Sequence, residues 1–242
     1  MPSNTSKKSG ILNKLDTAIL LKQLHFNDFQ YQSSVLSHTN HRLNIMLQFS
    51  GNNQRVLDLG CGIGYFMEML QTKHSKVFGV DISKKALLTA KRKGLNVIQS
   101  NFESKLPFDD NQFDVVTAGE IIEHLYNTSL FLAEIRRILK KNGTLIMSTP
   151  NVASLGRRLM LLFGVSPFLE TELSKTDAGH VRYFTKKSLL SLLTKNKFKP
   201  VRHTSDSINF NNKLDSKLRS KTLAKVFPTL GASIIVACIN QK

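Results

Sequence analysis

The chain has 242 residues, 41% apolar and 21% charged, which suits one sizeable core better than two small domains. Cys61 and Cys238 lie far apart in sequence, which excludes a disulfide framework, and no Cys/His cluster has zinc-finger spacing. No apolar run approaches the roughly 20 residues that cross a bilayer; the first ten residues are polar, unlike a secretory leader, so a reducing, cytoplasmic setting is expected.

The formal charge is +17, and 16 Lys/Arg stand against 5 Asp/Glu between residues 151 and 242. A basic face of that kind attracts nucleic acid, anionic lipid or a phosphorylated substrate, or is simply well solvated.

In chain order, Ile11, Leu12, Leu15, Ala18, Ile19 and Lys22 have the spacing of an amphipathic helix over 11–26. From residue 55 strand and helix alternate. Strands are expected at Arg55–Leu59, 76–80, 96–100, 113–117 and 144–148, the last entered through Asn142-Gly143 and closed by Pro150. Helices are expected at 63–71, at 84–93 between the cap Ser83 and Gly94, and at 129–140. Past Pro150 the rhythm breaks, through LGRRLMLLFGVSPFL and DAGHVRYFT. Thr185 then caps a helix to about Lys195, and strands at 197–203 and 232–240 close the chain.

This pattern predicts an α/β fold: a doubly wound, mostly parallel seven-stranded sheet of Rossmann-like type, with an antiparallel final strand. One domain spans 1–242. Within it, 1–50 form a helical cap, 51–150 a cofactor-binding core, 151–196 a substrate lid and helix, and 197–242 the closing strands.

The chemistry concentrates in VLDLGCGIGYF. In a doubly wound sheet, ligands bind at the carboxyl ends of the strands, and a glycine-rich turn lets them approach the backbone. Asp81 follows Gly60 by 21 positions and closes the second strand, where a carboxylate accepts from both hydroxyls of a ribose. A nicotinamide dinucleotide competes for this reading, but its fingerprint is G-x-G-x-x-G, whereas Gly60, Gly62 and Gly64 here alternate behind Asp58. A carboxylate at Asp58 suits a cationic amino-acid group better than a pyrophosphate. That favours S-adenosylmethionine, whose sulfonium and ammonium are positive.

Together, VLDLGCGIG, GVDIS, LPFDDNQFDVV, EIIEHL, RRILKKNGTLIMSTPN and GHVRYFT resemble the class I S-adenosylmethionine-dependent methyltransferases over about residues 50–200. The E-x-x-E-H pattern within EIIEHL is similar to one in the ubiquinone-biosynthesis O-methyltransferases and one in the small-RNA 2′-O-methyltransferases, where it binds metal with a further histidine. The resemblance implies that Asp58, Gly60, Cys61, Gly62 and Gly64 line the methionine end of the cofactor. It puts Asp81 on the ribose, Ile82 against the adenine, Asn101 and Phe102 at the adenine edge, and Glu120 near the methyl. The family often has Asp where this chain has Asn101, whose carbonyl can still accept from the adenine amino group.

If GEIIEHL begins a helix, Glu120, Glu123 and His124 share one face at i, i+3 and i+4. Such a set could hold a divalent cation, with His180 as a further ligand or as a base; otherwise Glu120 serves the cofactor while Glu123 and His124 orient the backbone. Glu120, His124 and His180 are thus the candidate catalytic residues. Arg157-Arg158 beside LMLLF could touch a membrane peripherally or wall an apolar pocket. Three activities stay open: O-methylation of a small or lipid-linked hydroxyl compound, 2′-O-methylation of RNA, or cofactor binding without turnover.

Overall fold

Strands with apolar residues on both faces need cover on both, and that need sets this architecture. The computed structural model describes residues 36–74, 76–167, 179–209 and 219–242; the helix expected over 11–26 lies outside them. Helix α1 (Leu36–Phe49) leads into β1 (Arg55–Leu59), α2 (Tyr65–Gln71), β2 (Lys76–Asp81), α3 (Lys84–Arg92) and β3 (Asn96–Gln99). Then come β4 (Phe113–Gly119), a 3-10 turn (Ile122–His124), α4 (Thr128–Ile138), β5 (Leu139–Pro150) and α5 (Leu155–Leu162). The last elements are α6 (Lys186–Lys195), β6 (Phe198–Thr204), the short pair β7 (Ile208–Asn209) and β8 (Arg219–Ser220), α7 (Lys221–Val226) and β9 (Ser233–Asn240).

Seven strands form one sheet in the order β3-β2-β1-β4-β5-β9-β6. Neighbours from β3 to β5 pair in parallel, while β9 runs antiparallel to both β5 and β6. The expected Rossmann-like sheet with an antiparallel final strand is therefore present. Pleating sends Val56, Val115, Ile146, Ile235 and Ala237 to a cluster under α1, α2 and α3. It sends Leu57, Leu59, Val116, Leu145, Met147 and Val236 to a second cluster under α4 and α6.

Several expected boundaries move for identifiable reasons. Helix α2 starts at Tyr65 rather than Ile63 because Gly62 and Gly64 hold φ of 54° and 85°, and the latter is the N-cap. Ser83 caps α3 by accepting from Ala86 N, as expected, and Thr185 forms a capping box with Ser188 at α6. Helix α4 runs from Thr128 to Ile138 where 129–140 was expected, and Asn127 caps it by accepting from Leu130 N. Strand β4 extends to Gly119 because β5 keeps pairing with it to Ser148. Helix α1 lies within the 1–50 expected as a helical cap, but no periodicity marked its span, since all its apolar residues but Leu36 (Leu43, Ile45, Met46, Leu47 and Phe49) crowd into its second half.

Candidate functional site

The loop from β1 into α2 is built on left-handed glycines. Gly60 sits at φ 70°, where an added Cβ would lie 2.7 Å from Ile121 Cδ1. Gly60 N and Cys61 N both donate to Val80 O, at 2.8 and 3.1 Å, which ties the loop to the end of β2. There the Asp81 carboxylate, 2% exposed, accepts from Gly62 N and from Ser83 N, each at 2.8 Å. One side chain thus joins the two turns that frame the crevice, and each of its oxygens has acceptor capacity for more than one donor.

Asp58 lies beside this loop on the α1 face of the sheet, 4% exposed, and Thr117 Oγ1 donates to its Oδ1 at 2.6 Å. Burial pushes its carboxyl up to about 7, Asp81 adds to the rise, and the Thr117 hydroxyl and Arg42 work against it. Two nearly buried carboxylates at one loop suit a positively charged ligand. Cys61 is buried, and its thiol is raised by burial and by both aspartates, so it is an inert packing group rather than a nucleophile.

Glu120 follows β4 in a left-handed backbone, φ 57°, with its N–H donating to Ser148 O. Its Oε1 accepts from Ser148 Oγ at 3.0 Å and pairs with Arg42 at 3.2 Å; Arg42 also donates to Ser148 Oγ at 2.6 Å. Arg42, Thr117 and Ser148 were absent from the sequence prediction. For Arg42 a signal existed: it is the one Lys or Arg between Lys22 and Arg55.

On the opposite rim, Ile82, Asn101 and Phe102 are half-buried after β2 and β3. Asn101 Oδ1 accepts from Glu103 N at 3.0 Å, which fixes the turn, and Phe102 packs edge-on against Phe131.

The expectation that Glu120, Glu123 and His124 share a helical face fails. The left-handed turn at Glu120 prevents a helix from starting there, and only a 3-10 turn forms over 122–124. Glu120 therefore turns toward Arg42. Glu123, 1% exposed, accepts from Thr149 Oγ1 at 2.9 Å, while its Oε1 has no hydrogen-bond partner among the described residues. Its backbone oxygen accepts from Val181 N and Arg182 N, which carries the segment of His180 to the turn.

The rings of His124 and His180 lie 4.9 Å apart, and donor atoms of Glu123, His124 and His180 all lie within 4.8 Å of one another. Burial, then Coulombic repulsion from Glu120, raises Glu123 well above the carboxylate range. Burial, helped by Arg157, lowers His180 to about 4 and keeps it neutral at ordinary pH.

A methyltransferase domain model matches residues 57–147. The ubiquinone biosynthesis O-methyltransferase of Pelagibacter ubique is 34% identical over 103 residues, 41% of this chain and 43% of that one. Its mitochondrial counterpart in Dictyostelium discoideum is 34% identical over 123 residues, 44% of this chain and 38% of that one. Against the relatives it matches, the chain spans between 35% and 49% of their length. In fold, it resembles a SAM-dependent methyltransferase from Thermotoga maritima at TM-score 0.68 and 21% identity, covering 90% of this chain and 99% of that one. Residues 57–147 thus match a methyltransferase domain, and the chain shares the fold of a SAM-dependent methyltransferase, with its glycine loop and Asp81 at the carboxyl ends of the first two strands.

Proposed function

We propose that the protein transfers a methyl group from S-adenosylmethionine to a hydroxyl of a small or lipid-linked acceptor. The observation that carries the reading is the Asp81 carboxylate bridging Gly62 N and Ser83 N beside a second buried carboxylate. Asp81 accepts from the ribose hydroxyls, Ile82, Asn101 and Phe102 border the adenine, and Asp58 faces the cationic methionine end. Arg42, already at Glu120, is placed to take the cofactor's carboxylate. The cofactor supplies an activated methyl; the chain has to hold donor and acceptor in line and exclude water. Residues 51–150 do the first task, and 151–196 with the N-terminal cap the second. The ubiquinone-type relatives favour oxygen as the acceptor atom.

His180 is a weak base, because its proton affinity lies far below that of an oxygen nucleophile. A neutral, buried imidazole is better suited to ligation. With His124 and the unpartnered Glu123 oxygen it fits a divalent cation, which would bind and acidify an acceptor hydroxyl. Glu120 is not in that set.

Incubation with methyl-labelled cofactor and fractionated cell extract tests the reading. We expect label in the small-molecule or lipid fraction; label confined to RNA would favour the second reading, for which the basic final third speaks, and label nowhere would leave a binding protein. Calorimetry with manganese should show binding to the wild type and none to His124→Ala; activity indifferent to EDTA and to that variant removes the metal.

Asp58 gives a pH signature. Its carboxyl is raised in the ligand-free fold, so its favourable contribution to folding is complete at acid pH and lost as pH rises from about 4 through about 7. Cation binding needs the ionised form, so cofactor affinity should increase as pH rises through 7, with up to one proton released. Asp58→Asn should flatten that dependence; an unchanged profile by calorimetry in buffers of different ionisation heat would remove Asp58 from the site.

A further inference from the structure

Two short helices present apolar side chains that no described residue covers. In α5 only Gly156 is buried, while Leu161, Leu162 and Phe163 at its end are 59%, 75% and 77% exposed. In α7 only Ala224 is buried, and Val226 and Phe227 are 64% and 52% exposed. Single exposed leucines are ordinary; runs of neighbouring ones on two adjacent elements are not.

The two helices are neighbours, since both pack against β7. Asn151, just ahead of α5, donates from Nδ2 to Thr229 O at 3.0 Å and Gly231 O at 2.9 Å, just past α7. Both therefore stand at the carboxyl end of β5, the side of the sheet where the acceptor must enter.

Charge decides what fits there. Arg158 is exposed on α5, and Lys221 and Lys225 are exposed on α7. Among the described residues from 151 to 242 Asp206 is the one acidic side chain, and its Oδ1 accepts from Ser207 N and Ser233 N. A second copy of a chain with net charge +17 would bring like charge against like. An anionic bilayer matches both features, with apolar side chains at the acyl boundary and cations at lipid phosphate.

We infer that α5 and α7 form a docking edge for an anionic membrane surface. This deepens the proposed function, on which it rests in one respect: it orients the acceptor side of the sheet toward lipid. The test is co-sedimentation of the full chain with vesicles of mixed phosphatidylglycerol and phosphatidylcholine, and with vesicles of phosphatidylcholine alone. Two variants accompany the wild type, Leu161→Gln/Leu162→Gln/Phe163→Gln and Lys221→Glu/Lys225→Glu, with cofactor affinity by calorimetry as the check of folding.

The wild type should sediment with the mixed vesicles only, and each variant should lose about tenfold or more in affinity with cofactor binding intact. The inference is overturned by no sedimentation, by equal binding to both vesicle types, or by a triple-glutamine variant that binds like wild type. It is also overturned if size exclusion shows an oligomer that this variant dissolves. Failure of the methyltransferase reading would appear separately, as absent cofactor binding with vesicle binding kept.

Discussion

Asp81→Ala is expected to weaken S-adenosylmethionine binding by roughly 100-fold to 10,000-fold, because two charge-assisted hydrogen bonds to the ribose, each worth about 1.5–3 kcal/mol, are lost together. The same substitution leaves Gly62 N and Ser83 N without the acceptor they share, so the melting temperature should fall as well. Asp81→Asn separates the two effects. Its carbonyl can keep one backbone donor, so stability recovers in part, while an amide lacks the charge that a pair of hydroxyl donors prefers. Calorimetric affinity near wild type for the alanine variant would withdraw the ribose assignment.

Gly64→Ala should be the most damaging single methyl in the core of the site. Gly64 holds φ 85° as the N-cap of α2, and an added Cβ would overlap Leu95 Cδ1 and meet Ala90 Cβ at 3.5 Å. Leu95 is itself buried, so it can yield only by disturbing its neighbours. Left-handed strain and overpacking together come to about 2–5 kcal/mol, which is a drop of roughly 4–20 °C for a chain of this size. Gly94→Ala is the control, with φ 77° and nothing within 4 Å, so it carries the strain alone. Equal melting temperatures for the two variants would show that α2 does not pack against Leu95 this way.

The glycine loop and the strands around it were legible because their signals are local. Glycines that must adopt positive φ, a cap such as Ser83, and an aspartate closing a strand all follow from neighbouring residues, and the sheet around them formed as expected. The rest of the candidate site depends on contacts between distant segments. Arg42 reaches Glu120 and Ser148, which lie 78 and 106 positions on in the sequence. That salt bridge has no local pattern. The error at Glu120 has the same origin: helical spacing was read through a residue whose backbone is left-handed, and one such residue dismantles an i, i+3, i+4 face. Yet Glu123, His124 and His180 still come together, through the backbone bonds from Val181 and Arg182 to Glu123 O rather than along a helix. The exposed face of α5 was visible as an apolar run beside two arginines, but its partner α7 was hidden in a lysine-rich connection.

The most direct measurement is a crystal structure with S-adenosylhomocysteine bound. The ribose hydroxyls should lie within hydrogen-bond reach of Asp81, with the adenine beside Ile82 and Phe102 and the amino-acid end between Asp58 and Arg42. A vacant crevice at saturating ligand, or the nucleoside seated away from Asp81, would contradict the account.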